Sequence, residues 1–534
     1  MSYPQIHLPT HSVENQPAAA GDRDLWRSDP VLRSCIGQAP DVAQYGATLG
    51  TDDSRAAGRD ANRFPPELHL FDTGGRRLDE VRFHPAYHQM MTLSQTAGYA
   101  ATAWTGGSHL EHAAMVYFAN QVEPGHCCPM TMTYAAVPAL AADDTLAAEW
   151  VPKLTARTYD PRPVPLAQKA SATLGMAMTE KQGGSDVRAN STTAMQDGAH
   201  WRLRGHKWFC SAPMCDGFLT LAQAPGGLTC FLVPRWLDGE RNAIHLMRLK
   251  DKLGNKSNAS SEIEYHDALS FQLGEQGRGV RTIIEMVHHT RLDTAIGPAG
   301  LMRGALTEAM HWVRHRRAFQ KTLIDQPLMR SVLADLILDW EAATRLVLHV
   351  ARSFDSDTPE DRAFARIGVA LAKFMNTKLC LRVIHEAMEA LGGMGYIEDT
   401  PMPFYYREAP LNGIWEGSGN VICLDIMRTL AREPMAGEML RAELHAAVGS
   451  DRRYDAALAA HTDRWPTLPA EAEARAYAEW TALLLAASVL IRTAAPAVAD
   501  GFVATRLEQT RGQVAGAVTG LDTLAILSGF DNQA

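Results

Sequence analysis

Three groups of residues in this 534-residue sequence have the types and spacing that chemistry requires. The first runs Met176-Ala-Met-Thr179-Glu-Lys-Gln-Gly183-Gly184-Ser185-Asp186, with hydroxyls on either side of a glycine pair. Glycines let a backbone approach closely and take positive φ, and free amides and hydroxyls then cradle an anion or the edge of a heterocycle. A polar turn leading into a sheet has the same composition. The second group is Ile414-Trp415-Glu416-Gly417-Ser418-Gly419-Asn420, a carboxylate beside a large aromatic in a Gly-rich loop that opens a helix. Apolar walls raise a carboxyl pKa, and a helix N-terminus receives a phosphate. That makes Glu416 a candidate general base beside a cofactor; the alternative is a solvated Glu416 and a capping Ser418. The third group, Arg314-His-Arg316-Arg317-Ala-Phe319-Gln320-Lys321, closes a long helix. It is either a phosphate grip or a set of cations that suits a helix C-terminus on dipole grounds alone.

Other reactive residues fit packing better than catalysis. His126-Cys127-Cys128 lacks the spacing of a zinc site and no second pair follows, so no metal is expected. His288 with His289, and His311 with His315, sit at helical spacing and read as surface or packing residues.

The elements that must position these groups follow from periodicity and punctuation. Residues 1–65 are rich in Pro, Gly and Asp with little periodicity, and read as an extension that wraps over another unit. Residues 66–170 show helical spacing, as in Tyr87, Met90, Met91 and Leu93. Between 171 and 283 the pattern changes: Trp201 and Leu203 alternate with Arg202 and Arg204 after the Asp197-Gly198 turn. Thr229–Val233, Ile244–Leu249 and Ser261–Tyr265 then read as further strands. Short strands at regular spacing predict a small antiparallel barrel. Residues 284–435 return to helix. One apolar stripe runs through Leu333, Leu336, Ile337, Trp340, Ala343, Val347 and Val350, a second helix runs from Pro359 to Gly392-Gly393, and a third begins after Gly419, which together predict a bundle. Residues 436–534 form an additional Ala-rich helical unit. The fold class is therefore mostly α with a central β-barrel.

Composition bounds the function. Hydrophobic residues make up 46% and charged residues 21%, values of a chain that buries a large core. The net charge of −9 excludes a molecule-wide field for nucleic acid. Eight cysteines without a CxxC pair fit free thiols in a reducing compartment. The start, MSYPQIHLPTHSVENQP, has neither a basic n-region nor an apolar h-region, so a cytoplasmic location is expected. The greasiest stretch, Ala482 to Ile491, is too short to span a bilayer, and no membrane partner is expected.

Taken together, these segments resemble the acyl-CoA dehydrogenase superfamily. MTEKQGGSD looks like that family's TEP-type flavin motif, and His206-Lys-Trp208-Phe209-Cys210-Ser211 like its second flavin-contacting strand. RRAFQK is similar to the RxxFG motif that reaches a neighbouring subunit's flavin diphosphate. Glu389-Ala-Leu-Gly392-Gly393-Met-Gly395-Tyr396 resembles the QxxGGxGY turn, and IWEGSGN the YEGT-type loop whose glutamate is the α-proton base. Gln320 stands where the family has glycine, Glu389 where it has glutamine, and Cys210 where Thr is common. Segments 71–88, 130–140 and 249–260 narrow the resemblance to the AidB-like branch, associated with the adaptive response to DNA alkylation, and extend it over nearly the whole chain.

The resemblance implies a helical domain, an antiparallel barrel, a helical bundle and an added C-terminal helical domain, in a homotetramer with bound FAD. Carried over residue by residue, Met176, Thr179, Gly184, Ser185, Phe209, Cys210 and Ser211 would face the flavin. Arg316 and Phe319 would serve a partner's cofactor, while Ile414, Trp415, Gly417, Ser418, Gly419 and Asn420 would hold its distal half. The implied reaction is α,β-dehydrogenation of an acyl-CoA thioester, with Glu416 removing the α-proton; the branch's own activity is weak. Bulky Trp415 fits equally a shortened or blocked pocket, the alternative being a DNA-binding protective flavoprotein with little turnover. The branch binds duplex DNA through its last domain, yet residues 436–534 hold eight Arg, no Lys and twelve acids, a net −4. Binding therefore requires Arg452, Arg453, Arg506 and Arg511 to gather on one face, to which Arg428 and Arg432 could add, and is expected to be weak.

Overall fold

Prolines and capping side chains start many of the helices, and they explain why the N-terminal region looked irregular in sequence. The computed structural model describes residues 4–531. Within the supposed extension lie three helices, α1 (Pro30–Ile36), α2 (Pro40–Leu49) and α3 (Asp52–Arg63). Pro30 and Pro40 occupy first-turn positions. The Asp29 and Thr51 side chains cap α1 and α3 by accepting from the Leu32 and Ser54 amides, so residues that read as loop formers are helix starts. Leu32, Val42 and Leu49 are fully buried. The irregular reading of residues 1–65 is thus corrected to helix for 30–63; α1 and α2 are too short to sustain a 3.6-residue period, and α3 carries no apolar side chain larger than alanine.

A hairpin absent from the sequence expectations follows, β1 (Glu67–Phe71) and β2 (Arg77–Arg82). After it come α4 (Pro85–Ala97), α5 (His109–Val122), α6 (Cys127–Leu140) and α7 (Asp144–Leu154). α5 starts with a reciprocal capping box between Ser108 and Glu111.

The strand region holds β3 (Leu174–Ala177), β4 (Thr193–Asp197), β5 (His200–Ser211), β6 (Gly217–Ala224), β7 (Gly227–Pro234), the short ribbon β8 (Trp236–Leu237) and β9 (Glu240–Arg241), then β10 (Ile244–Leu249) and β11 (Ser260–Leu273). The ladder β11-β5-β4-β6-β7 returns to β11 and closes a five-stranded barrel, flanked by β10 and β3. The barrel is not wholly antiparallel: β3 and β4 both pair with β6 in parallel. Strand direction is set by the long connections around β3 and β4, which local alternation does not encode.

Helix α8 (Gly279–His315) runs 37 residues, about 55 Å. It ends in a two-residue hairpin, β12 (Arg317–Ala318) and β13 (Lys321–Thr322). α9 (Pro327–Arg352) and α10 (Pro359–Ala390) pack against α8 and each other, and α11 (Met402–Glu408) and α12 (Gly419–Arg432) close the bundle.

The C-terminal segment comprises α13 (Pro434–His445), α14 (Arg452–Arg464), α15 (Ala474–Thr493), α16 (Pro496–Phe502) and α17 (Thr523–Phe530). α13 and α15 pack on α10, and α15 and α17 pack on α9. With the preceding turn, the helix Glu471–Thr493 contains an 18-residue window of mean hydropathy 1.3 and is by length and composition long and apolar enough to cross a membrane, unlike Ala482–Ile491 read alone; 61% of that window is buried inside this fold. Buried apolar residues from Leu25 to Phe530 form one continuous cluster.

Candidate active site

The two strand-region motifs meet at the rim of the barrel. The Trp208 amide at the end of β5 donates to the Thr179 carbonyl at 2.8 Å. Beneath them Lys207 Nζ donates to Glu180 Oε1 at 2.8 Å, with both side chains wholly buried. The amides and hydroxyls of Ser191 and Thr192 also donate to the Glu180 carboxylate. Burial alone would raise the Glu180 carboxyl, but the Lys207 charge and these donors hold it well below the usual carboxylate range. Glu180 and Lys207 are interior struts of the motifs, and sequence reasoning passed over them as polar residues within a turn and a strand.

The side chains expected to face a flavin differ in exposure. A Cβ on Gly184 would meet Thr179 Oγ1 at 2.6 Å, so only glycine lets the turn lie this close to the hydroxyl. Met176 and Thr179 are half-buried, Ser185 and Phe209 exposed, and Cys210 fully buried. The Cys210 side chain presents no exposed surface, and its carbonyl accepts from Ser261 Oγ on β11 at 3.2 Å. Lys250 Nζ lies 3.2 Å from the Trp208 ring centroid and 4.8 Å from that of Phe209.

The carboxylate loop is held from two sides. Glu416 has φ 54° and Gly417 φ 102°, consecutive left-handed residues. A non-glycine residue in that region stores about 1–2 kcal/mol. Thr290 Oγ1 on α8 donates to Glu416 Oε2 at 2.8 Å. Lys373 Nζ on α10 donates to the Trp415 carbonyl at 2.8 Å and to the Gly417 carbonyl. Burial pushes the Glu416 carboxyl above its ordinary value, opposed by the Thr290 hydroxyl, Arg291 and Lys373. Arg291 is itself shared with Asp425, which also accepts two bonds from Arg366. Ser418 sits at the N-cap of α12, but its side chain makes no capping bond. The Trp415 indole is tethered, donating to Asn412 Oδ1 at 3.1 Å. At the start of α12, Arg475 Nη1 donates to Asn420 Oδ1 at 2.9 Å, and a Cβ on Gly419 would lie 3.3 Å from Lys378 Nζ. Two cations therefore flank the helix N-terminus that carries Ser418, Gly419 and Asn420, as a phosphate would require.

The buried Cys128 thiol feels both the barrel rim and the loop. Burial pushes it up to about 11, Lys252 and the Ser211 hydroxyl lower it, and the Glu416 carboxylate raises it. Ser211 and Glu416 thus act on one thiol, from the barrel and the bundle respectively.

Arg316 and Phe319 do not join this site within one chain. Thr290 lies in the first third of α8 and Arg316 caps its C-terminal end, 26 residues further on and roughly 39 Å away along the axis. Phe319 is 92% exposed at the tip of the β12–β13 hairpin, and Phe319 and Gln320 both have positive φ. The hairpin is clamped by Asn15, whose side chain donates to the Arg317 carbonyl at 2.9 Å and accepts from the Arg317 amide at 2.8 Å. Arg316 donates to the Asn15 carbonyl.

Two expected phosphate contacts are overturned. Arg506 is buried and pairs with Asp335 at 2.8 Å and Asp339 at 2.7 Å. Arg511 pairs with the same two carboxylates at 3.1 and 3.0 Å. These guanidiniums neutralise buried acids on α9 and are not presented to a ligand; a charge count along the sequence does not distinguish the two cases. Arg453 is held by Asp451 and Asp500. Arg428 and Arg432 are exposed on α12.

His126 bonds Ser94 and Glu123, and His288 stacks on Phe354 at 4.7 Å. The polar interior near α8 also includes Asp293, which bonds His112 at 2.9 Å and Thr131 at 2.5 Å.

Residues 15–161 match the family model described as the adaptive response protein AidB N-terminal domain. Residues 175–268 match the acyl-CoA dehydrogenase middle domain, and 277–431 its C-terminal domain. The chain is 42% identical over 526 residues to the protein named "Putative acyl-CoA dehydrogenase AidB" of Escherichia coli (strain K12), covering 95% of this chain and 96% of that one. Among solved structures it is similar to Caenorhabditis elegans ACDH-11 in complex with C11-CoA, with TM-score 0.83 and 25% identity over 95% of this chain and 94% of the other. It also shares the fold of a Bacillus anthracis acyl-CoA dehydrogenase complexed with FAD, with TM-score 0.67 and 16% identity over 84% and 86% of the two chains.

Proposed function

The chain belongs to the AidB branch of the acyl-CoA dehydrogenase family, and from that premise we propose that it is an FAD-bearing oxidoreductase acting on an acyl-CoA thioester, with Glu416 as the α-proton base. The observation that carries this reading is the arrangement around Glu416: a carboxyl lifted by burial, aimed by Thr290, on a loop that shares the Cys128 surroundings with the Ser211 end of β5. The residues present fit the flavin. The open hydroxyls of Thr179 and Ser185 beside the close Gly184 turn suit the donors and acceptors of a heterocycle edge, and the α12 N-terminus with Lys378 and Arg475 suits a diphosphate.

When bound, FAD supplies the acceptor for the β-hydride. The chain does the rest. Glu416 takes the α-proton onto its carboxylate as the Cα–Cβ double bond forms. Thr290 orients the carboxylate, and burial keeps its proton affinity high enough to accept a proton from carbon. Met176, Thr179, Gly184, Ser185, Phe209, Cys210 and Ser211 would seat the ring system, and the loop 414–420 the distal half. Arg316 and Phe319 would complete the site of a neighbouring copy, so a homotetramer is part of the proposal. The AidB family-model match supports placing this activity in the cell's response to alkylation damage.

Purification without added cofactor tests the reading. The expected result is a yellow protein that releases FAD on denaturation and bleaches with some member of an acyl-CoA series. A colourless protein that does not take up FAD would overturn it.

A further inference from the structure

Lys373 is a buried cation, 1% exposed, whose side-chain hydrogen bonds go to backbone. Its Nζ lies between the carbonyls of Trp415 and Gly417, the residues on either side of Glu416. Those carbonyls converge because Glu416 and Gly417 are both left-handed, with φ 54° and 102°. Without a donor at that point, two carbonyls would face the interior unpaired, and the strained conformation of Glu416 would lose its main-chain restraint. The same residue is held by its carboxyl from the opposite wall, by Thr290 on α8.

We propose that Lys373 is a positioning residue for the base loop: its ammonium, donating to the Trp415 and Gly417 carbonyls, fixes the left-handed backbone at Glu416 so that the carboxylate stays on the Thr290 hydroxyl. The proposal rests on the reading of Glu416 as the base for its catalytic consequence, though not for its effect on the loop. The charged groups around Lys373 are Glu416 on the loop, Arg291 on α8 and Lys378 on its own helix. Burial pushes Lys373 down to about 7, with Glu416 opposing. The bundle thus buries a basic side chain against the base loop where desolvation disfavours its charged form, and the amine donates to the two carbonyls in either protonation state.

The test uses the FAD-loaded full chain with Lys373→Met and Lys373→Gln, the second retaining an amide donor on a shorter stem. Amide hydrogen exchange over residues 414–420 should accelerate by about tenfold or more in Lys373→Met, with exchange elsewhere unchanged. Lys373→Gln should fall between it and the wild type. Acyl-CoA-dependent bleaching should slow by about 10- to 100-fold in Lys373→Met, its rising pH limb displaced upward because a cation near Glu416 is gone. Unchanged exchange in both variants would overturn the proposal, as would global unfolding of both, which would make Lys373 a general core residue. Glu416→Gln run in parallel separates the two ideas. Bleaching that survives in Glu416→Gln refutes the base assignment, while the exchange data still judge Lys373.

Discussion

The carboxyl of Glu416 is set by opposed influences: burial raises it, and the Thr290 hydroxyl, Arg291 and Lys373 pull it back. Thr290→Val removes a hydrogen bond that favours the charged form. The Glu416 pKa should therefore rise further. A base works only when deprotonated, so the rising limb of the bleaching-rate profile should move to higher pH, with flavin content unchanged; an unmoved limb would show that Thr290 does not bond the base in solution. The loop itself was legible in sequence because Trp, Glu and Gly-Ser-Gly are adjacent and their types state their chemistry. Its supports were not. Thr290 stands 126 residues away and Lys373 on a separate helix, and neither a lone Thr nor a lone Lys on a helical face signals what it will meet. Arg506 and Arg511 failed for the complementary reason: in sequence, a cation bound for a buried acid looks the same as one bound for a phosphate.

At the scale of elements, the motif turn and β5 are fastened by Glu180 and Lys207 beneath the candidate flavin surface. Removing one member of a buried pair leaves an uncompensated charge, so Lys207→Ala should cost about 3–5 kcal/mol. The measurement is a denaturant midpoint, together with flavin retention, which should fall. Because Glu180 is held below its ordinary value, its stabilising contribution is present above about pH 4.5 and is lost as pH falls through its depressed folded value. Acid unfolding of the wild type should accordingly be steeper than that of Lys207→Ala. The long helices α9, α10 and α12 could be read from the sequence because each has either a sustained apolar period or Pro and Gly at its ends. The short helices α1–α3 could not, and the five-residue strand β1 gives too few alternations to announce itself. The parallel pairings of β3 and β4 with β6 depend on chain paths across the barrel rather than on any local pattern.

At the scale of the whole molecule, the run of α8 from Thr290 to Arg316 spans roughly 39 Å, so Arg316 and Phe319 stand far from the base of their own chain, and the proposed shared site would draw on two chains. Light scattering of the flavin-loaded protein should return the mass of four copies; a monomer with full flavin would contradict the shared site. The terminal segment is bound to α9 by Arg506 and Arg511, whose charges overcome burial to hold the Asp339 carboxyl below its ordinary value. Arg506→Ala should therefore lower stability by about 3 kcal/mol or more and leave the salt dependence of any duplex binding unchanged. A flattened salt slope at unchanged stability would restore Arg506 as a phosphate contact. The central claim is that a flavin-bearing assembly uses Glu416 to take a proton from an acyl-CoA. It is tested most directly by anaerobic rapid mixing of the wild type and Glu416→Gln, at equal flavin content, with the acyl-CoA that bleaches the wild type best. Glu416→Gln should keep its FAD and fold and bleach slower by a factor of about 10² to 10⁴; bleaching at the wild-type rate would show that Glu416 is not the base.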